Sequence, residues 1–243
     1  MKVTAKTWFE YISKKSKINQ KAIDLMQKWL DANPDAPKNE IIMHACDIID
    51  RYGQAAGALS CEMYETMADA QGATVETAEM AELPDTSEVG KAVNGTIKQG
   101  KRVADTVGRM VKQVGEDTTL KNAVRDDAEW AWIPHGDTCA FCIVLASRGW
   151  QSMPRGAKRE LYAEHIHANC DCSFAIRFDG ESTVEGYDPS VYEDMYYNAS
   201  WGNTPKQKMN SIRRDLYEEN KDHINAQKRA AYAARKATND SGG

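Results

Sequence analysis

Two close cysteine pairs constrain this chain more than any other feature. Cys139 and Cys142 form a Cys-x-x-Cys pair, and Cys170 and Cys172 form a Cys-x-Cys pair, with His165 and His167 just ahead of the second. With His135, that places four of the six cysteines and three of the five histidines within about forty residues. Two close pairs separated by a loop are the usual sequence sign of one tetrahedral metal site. A tight turn aims two side chains at one ion, and a second turn completes the tetrahedron. The ion then staples two segments that lack enough apolar surface to hold together alone.

At 243 residues the chain has the length for one large domain or two small ones. Apolar residues make up 42% and charged residues 28%, which excludes wholesale disorder. The formal net charge is −5, so no whole-protein field draws the chain to nucleic acid. The stretch from Met1 to Phe9 carries no apolar signal core, and no later run is long enough to span a bilayer. The expectation is a chain made and folded in a cytosol, without a membrane partner. Thiols stay reduced there, and clustered cysteines read as metal ligands before they read as disulfides.

The first half reads as helix. Trp8, Tyr11, Ile12, Ile18, Ile23, Leu25, Met26, Trp29 and Leu30 recur at three- and four-residue steps, predicting a helix over 5–30. Two prolines in 31–37 stop it. A second, longer helix is expected over 39–70, with Gly53 and Gly57 allowing another helix to approach closely. Cys46 and Cys61 fall on its apolar stripe and read as small core residues. His44 reads as a surface or core residue rather than a ligand. Residues 71–87 form a polar, acidic loop, and 88–127 suit helices broken by glycines. At 128–134 two tryptophans and Pro134 mark a shift in composition, leading into the turn at His135-Gly136-Asp137. Phe141, Ile143, Val144 and Leu145 predict a short helix ending at Arg148-Gly149. Residues 172–178 alternate like a strand, and Asp179-Gly180 closes it as a turn.

The tail reads as a last long helix, with Thr204 as N-cap and Pro205 at the first helical position. From Thr204 onward it carries nine basic residues against five acidic, whereas the rest of the chain has twenty-two against thirty-one. A solvated helix face is the plain meaning, and contact with DNA or an acidic partner is the sharper one. The fold class is therefore mainly α (α+β). Residues 1–127 form a helical platform, 128–182 a small Cys/His-stapled module with a short β-hairpin, and 183–243 a helical, basic tail.

The candidate metal ligands are Cys139, Cys142, His167, Cys170 and Cys172, and zinc suits their soft thiolates and imidazole. Five or six donors compete for four positions, so at least one is not a ligand, and His165 is placed outside the set. A reduced metal-free cluster and a disulfide formed after lysis are the alternatives. A redox Cys-x-x-Cys enzyme is disfavoured because the strand and helix opening of that motif are not evident in the sequence. No His-Glu-x-x-His spacing is present, which counts against a metal-dependent hydrolase. No enzyme activity and no catalytic residue are expected.

The run Trp130-Ala-Trp-Ile-Pro-His-Gly-Asp-Thr-Cys-Ala-Phe-Cys-Ile-Val-Leu-Ala-Ser-Arg-Gly149 closely resembles the signature of phage minor capsid proteins of the Mu F-like head-morphogenesis group. The echo His167-Ala-Asn-Cys-Asp-Cys172 and the strand after it match the same pattern, and the run 52–64 is similar less specifically. The resemblance covers roughly 40–200 and rests on 130–175. It implies a structural virion component, close to the portal inside the head and present in few copies. Its implied partners are the portal and major capsid proteins, and its implied places are the phage head and, during assembly, the host cytoplasm. Some relatives carry an added toxin or enzyme domain. Here only about sixty residues follow the strand, too few and too charged for an added enzyme domain. The competing class is a zinc-knuckle module that binds or processes nucleic acid, with the basic tail on DNA. The discriminating feature is charge around the knuckle: Lys158 and Arg159 lie in its loop with Arg148 and Arg155 nearby, but Glu160, Glu164 and Asp171 also sit there and aromatics suited to base stacking are few.

Overall fold

The computed structural model describes residues 2–136, 138–152 and 170–240. The protein is mainly helical with a few small strands. It divides into two compact units, Met1–Thr138 with Arg148–Asp188, and Cys139–Ser147 with Pro189–Gly243.

The first unit is built on four helices: α1 (Ala5–Ala32), α2 (Lys38–Gln71), α3 (Thr86–Lys98) and α4 (Val103–Arg125). Thr4 caps α1 by accepting the Thr7 amide at 3.1 Å. The apolar stripe of α1 buries Trp8, Tyr11, Ile12, Ile23 and Met26, but Leu25 of the expected stripe is 40% exposed. α2 ends at Gly72, whose φ of 67° is the left-handed conformation that closes a helix most readily with glycine. Asp85 and Glu88 form a reciprocal capping box that starts α3, a signal present in the sequence as Asp-x-x-Glu. α4 packs against α1, α2 and α3 at once, so its core face is wide. Ile49, Val89, Val93, Val107 and Val111 meet there in one apolar cluster. Cys46 packs against that cluster, and His44 stacks on Trp29 with ring centroids 4.5 Å apart.

Two glycines of α4 set how closely its neighbours come. A Cβ on Gly115 would lie 3.0 Å from Ser60 Oγ and 3.3 Å from the Ala56 carbonyl of α2. A Cβ on Gly108 would overlap the Ile23 side chain of α1 and sit 3.0 Å from Asn19 Oδ1. Gly108→Ala is therefore expected to destabilise the unit by about 1–3 kcal/mol, the usual cost of overpacking. Thermal unfolding reads it, and an unchanged midpoint would show that α1 and α4 yield freely.

Short strands complete this unit. β1 (Lys2–Val3) pairs in parallel with β5 (Thr183–Val184). β2 (Glu129–Ile133) is the centre of a three-stranded antiparallel sheet, flanked by β3 (Gln151–Ser152) and β4 (Ser173–Arg177). The strand expected over 172–178 is β4. It pairs with β2 from Glu129 opposite Arg177 to Ile133 opposite Ser173, so a long connection joins the two strands rather than a tight turn. Phe174 stands edge-on to both tryptophans of β2, at 5.0 Å from Trp130 and 4.6 Å from Trp132. Such pairs add about 0.5–1.5 kcal/mol each beyond the area they bury.

The outer edge of β4 is closed by helix side chains. The amides of Phe174, Ile176 and Phe178 point to the same side, two residues apart each time. Glu116 Oε2 of α4 accepts the first at 3.1 Å, Met67 Sδ of α2 the second at 3.4 Å, and Gln71 Oε1 of α2 the third at 2.8 Å. Gln71 Nε2 also donates to the Ile176 carbonyl at 3.1 Å. Three residues of two helices thus stand where another strand would pair, which removes an open edge.

The second unit contains α5 (Ala140–Ala146), α6 (Pro189–Tyr197) and α7 (Pro205–Asp240). Its core joins Ala140, Ile143 and Val144 of α5 to Ala199 and to Ile212 of α7, with Tyr192 and Tyr196 of α6 beside them. Thr204 Oγ1 accepts the Gln207 amide at 3.3 Å, and Pro205 opens α7, as the capping signal implies. Gln207 Oε1 in turn accepts the amides of Asn203 and Thr204, both at 3.1 Å.

Candidate metal centre

The Cys170-Asp171-Cys172 turn enters β4, and side chains from α1 and α4 hold it from several directions. Lys112 Nζ of α4 donates to the Cys170 carbonyl. Ser16 of α1 donates to Asp171 Oδ1 at 2.5 Å. Ser173 follows Cys172 directly, accepts from Lys15 Nζ of α1 at 2.8 Å and donates to Glu116 Oε2 at 3.1 Å. Lys15 and Glu116 form a salt bridge at 2.5 Å and are both buried. Desolvation pulls the Lys15 pKa down, but the Glu116 carboxylate and Tyr11 outweigh it and raise it above the ordinary lysine value.

The other pair sits at the opening of α5. Gly136, with φ of 64°, takes the left-handed turn after β2, and Thr138 donates to its carbonyl at 3.2 Å. Cys139 occupies the N-cap position with extended φ and ψ, and Cys142 lies one turn into the helix. Cys139 is half-buried, while Cys142 is 0% exposed.

Three of the five sequence-derived ligands come together. The Sγ atoms of Cys142, Cys170 and Cys172 all lie within 4.8 Å of one another, and all three residues are buried. That spacing suits one ion: zinc–sulfur bonds of about 2.3 Å in a tetrahedron put the sulfurs roughly 3.8 Å apart. Three buried cysteines thus lie close enough to bind a metal ion. Cys139 is outside this grouping, and His167 lies outside the described residues, as does His165. The His135 ring lies tilted against Phe9 of α1, with centroids 5.7 Å apart, and is not in this grouping. Cys46 and Cys61 are half-buried on α2, and burial raises the pKa of both thiols.

The strand and helix opening that were not evident in the sequence are present. A strand, β2, does precede the Cys-x-x-Cys pair, and α5 does open on it. The strand signal lies in Glu129-Trp-Ala-Trp-Ile133, whose aromatic and β-branched residues favour strands as well as marking the shift in composition. Cys142 has two further buried thiols, Cys170 and Cys172, close enough to bind a metal ion with it.

The residues around the turn that spacing alone misses are Lys15, Ser16, Lys112 and Glu116. They lie far from the cysteines in sequence, and lysines on a helix read as solvated. The signal for Lys112 and Glu116 was their place on the same face of α4 as Val111 and Gly115, four residues apart each time.

Among the described residues no helix is long and apolar enough to cross a membrane. No match was found among curated proteins or among solved structures. The family described as VG15 protein matches residues 2–199. That span takes in the four-helix platform, the sheet and both cysteine pairs, and so the chain belongs to the VG15 protein family, a family of viral gene products.

Proposed function

We propose that this viral protein is a structural minor capsid protein of a bacteriophage head, of the Mu F-like head-morphogenesis kind, acting beside the portal. Its three converging cysteines hold one zinc ion, with the fourth ligand drawn from Cys139 and His167. The ion has no catalytic task; it locks the turn that leads into β4. Portal and major capsid proteins are its partners, and the head interior is its place in the virion. What supports this reading is membership of a viral family over most of the chain, together with a cysteine cluster at the residues that carry the capsid-protein resemblance. The helical body serves as contact surface, and the chain does its work without turning over a substrate.

Disrupting the gene in its phage tests the role. The expected result is heads that are absent, unfilled or non-infectious, and wild-type heads that carry the protein together with a portal ring. Infectious particles at normal yield without the gene would overturn it. The tail gives a second reading its footing. α7 begins beyond the family match, at Pro205, and the tail carries nine basic residues against five acidic. If truncation at Thr204 abolishes DNA binding at low salt and leaves head assembly intact, nucleic-acid contact is the tail's function, because phosphate contacts are strongly salt-dependent. If both forms bind DNA equally, or neither does, α7 is a docking helix for another capsid protein.

A further inference from the structure

We infer that Lys112 is the counter-charge of the cysteine centre, a positioning residue whose ammonium offsets the negative charge that bound thiolates leave behind. The inference rests on the metal reading above and adds to it a residue that neither the cysteine spacing nor the family match marks.

A charge inventory of the buried polar cluster carries it. Lys15, Lys112 and Glu116 are all buried, at 5%, 4% and 0% exposure, while Asp117, also buried, lines a different cavity together with Arg109. Lys15 and Glu116 neutralise each other at 2.5 Å. Lys112 is the positive charge left over. Its contacts among the described residues are the Cys170 carbonyl, to which Nζ donates, and the face of Trp132, whose ring centre lies 5.8 Å from Nζ. Neither contact carries a full negative charge. The other charged side chain nearby is Asp171, which is exposed and accepts from Ser16. Lys15, Lys112, Cys170 and Asp171 line one cavity of about 10 Å³, room for about one water molecule.

A buried ammonium without a counter-ion is costly and is ordinarily replaced by an apolar residue or drawn to an anion. Here its hydrogen bond reaches the backbone of a candidate ligand. Three thiolates on one divalent ion leave one negative charge in excess, and a fourth thiolate makes it two. In a buried site that excess is as costly as the lone ammonium. Placing the two side by side removes both costs, and the carbonyl contact fixes the Cys170 backbone at the same time. Partners one step out from a metal commonly govern affinity in this way.

Zinc affinity of the full chain, measured by competition with a chelator of known affinity, tests the inference. Lys112→Met keeps the length of the side chain and removes its charge; Lys112→Arg keeps the charge. Lys112→Met is expected to bind zinc about 10- to 100-fold more weakly than wild type, with Lys112→Arg close to wild type. The visible absorption of the cobalt-substituted protein is the second readout. It is expected to show the same tetrahedral, thiolate-ligated bands in wild type and in Lys112→Met, because the ligand set is intact and what is lost is the ammonium with its bond to the Cys170 carbonyl. Equal zinc affinity in wild type and Lys112→Met overturns the inference. A cobalt spectrum altered in both variants overturns it too, since Lys112 then merely props the turn. A wild-type chain that takes up neither metal overturns the metal reading itself, a result distinct from either.

Discussion

Zinc-loaded protein carrying Cys170→Ser or Cys172→Ser is expected to lose its metal and much of its stability. Both residues are buried beside Cys142, and a serine hydroxyl is a poor ligand for a soft, thiolate-bound ion. Structural zinc supplies about 10–16 kcal/mol of apparent binding free energy in small peptide modules. The loss here is smaller, because the sheet has its own support: Phe174 packs on Trp130 and Trp132, and α2 and α4 close the edge of β4. A destabilisation above about 4 kcal/mol is expected, the range that marks loss of a metal rather than an ordinary substitution. At roughly 2–4 °C per kcal/mol for a chain of this size, the unfolding midpoint falls by about 8–16 °C. A chelator added to the wild type should lower the midpoint by a similar amount, and adding it to either serine variant should change nothing further. Metal analysis checks the premise. Wild-type protein from zinc-replete cells should carry about one equivalent, and well under half would sink the assignment.

How much of this was legible beforehand depends on the range of the interaction. The helices were readable because their signals are local. The 3.6-residue stripe of α1, the stop at its prolines and the Thr204–Pro205 opening of α7 each act within a turn or two. The metal candidates were readable because ligand spacing is also local within each pair. β1 and β3 were not, since two residues carry no period and their pairing is set by partners far along the chain. α6 was missed for a related reason. It has nine residues, and Val191 and Met195, its apolar pair at helical spacing, are exposed rather than in a core. The pairing of β4 with β2 was out of reach, because alternation identifies a strand without naming its neighbour. The buried pair of Lys15 and Glu116 was also hidden. A lysine in a helical stripe reads as solvated, and only the approach of α1 to α4, permitted by Gly108, brings its ammonium to a carboxylate on the other helix.

That pair has the second large expected effect. Glu116→Ala should destabilise the protein by about 3–5 kcal/mol, the cost of breaking a buried ion pair from one side. The carboxylate does three things at once: it neutralises Lys15 at 2.5 Å, accepts the Ser173 hydroxyl at 3.1 Å and accepts the Phe174 amide at 3.1 Å. Alanine leaves the buried Lys15 ammonium without that acceptor, and with it the Ser173 hydroxyl and Phe174 amide, which lie within two residues of Cys172. Glu116→Gln should cost less, because the amide oxygen still accepts one or two of these bonds while the charge is lost. The double variant Lys15→Met/Glu116→Ala should recover part of the loss, since it removes the stranded ammonium but not the stranded amide. Chemical denaturation of the three variants checks the order. A double variant no better than Glu116→Ala would show that the amide, not the charge, dominates. The pH dependence follows from the raised pKa of Lys15. A lysine with a raised folded-state value contributes fully below the unfolded value and loses that contribution only as pH climbs past it. The difference in stability between wild type and Lys15→Met should therefore hold steady across neutral pH and begin to shrink only above about pH 10.4.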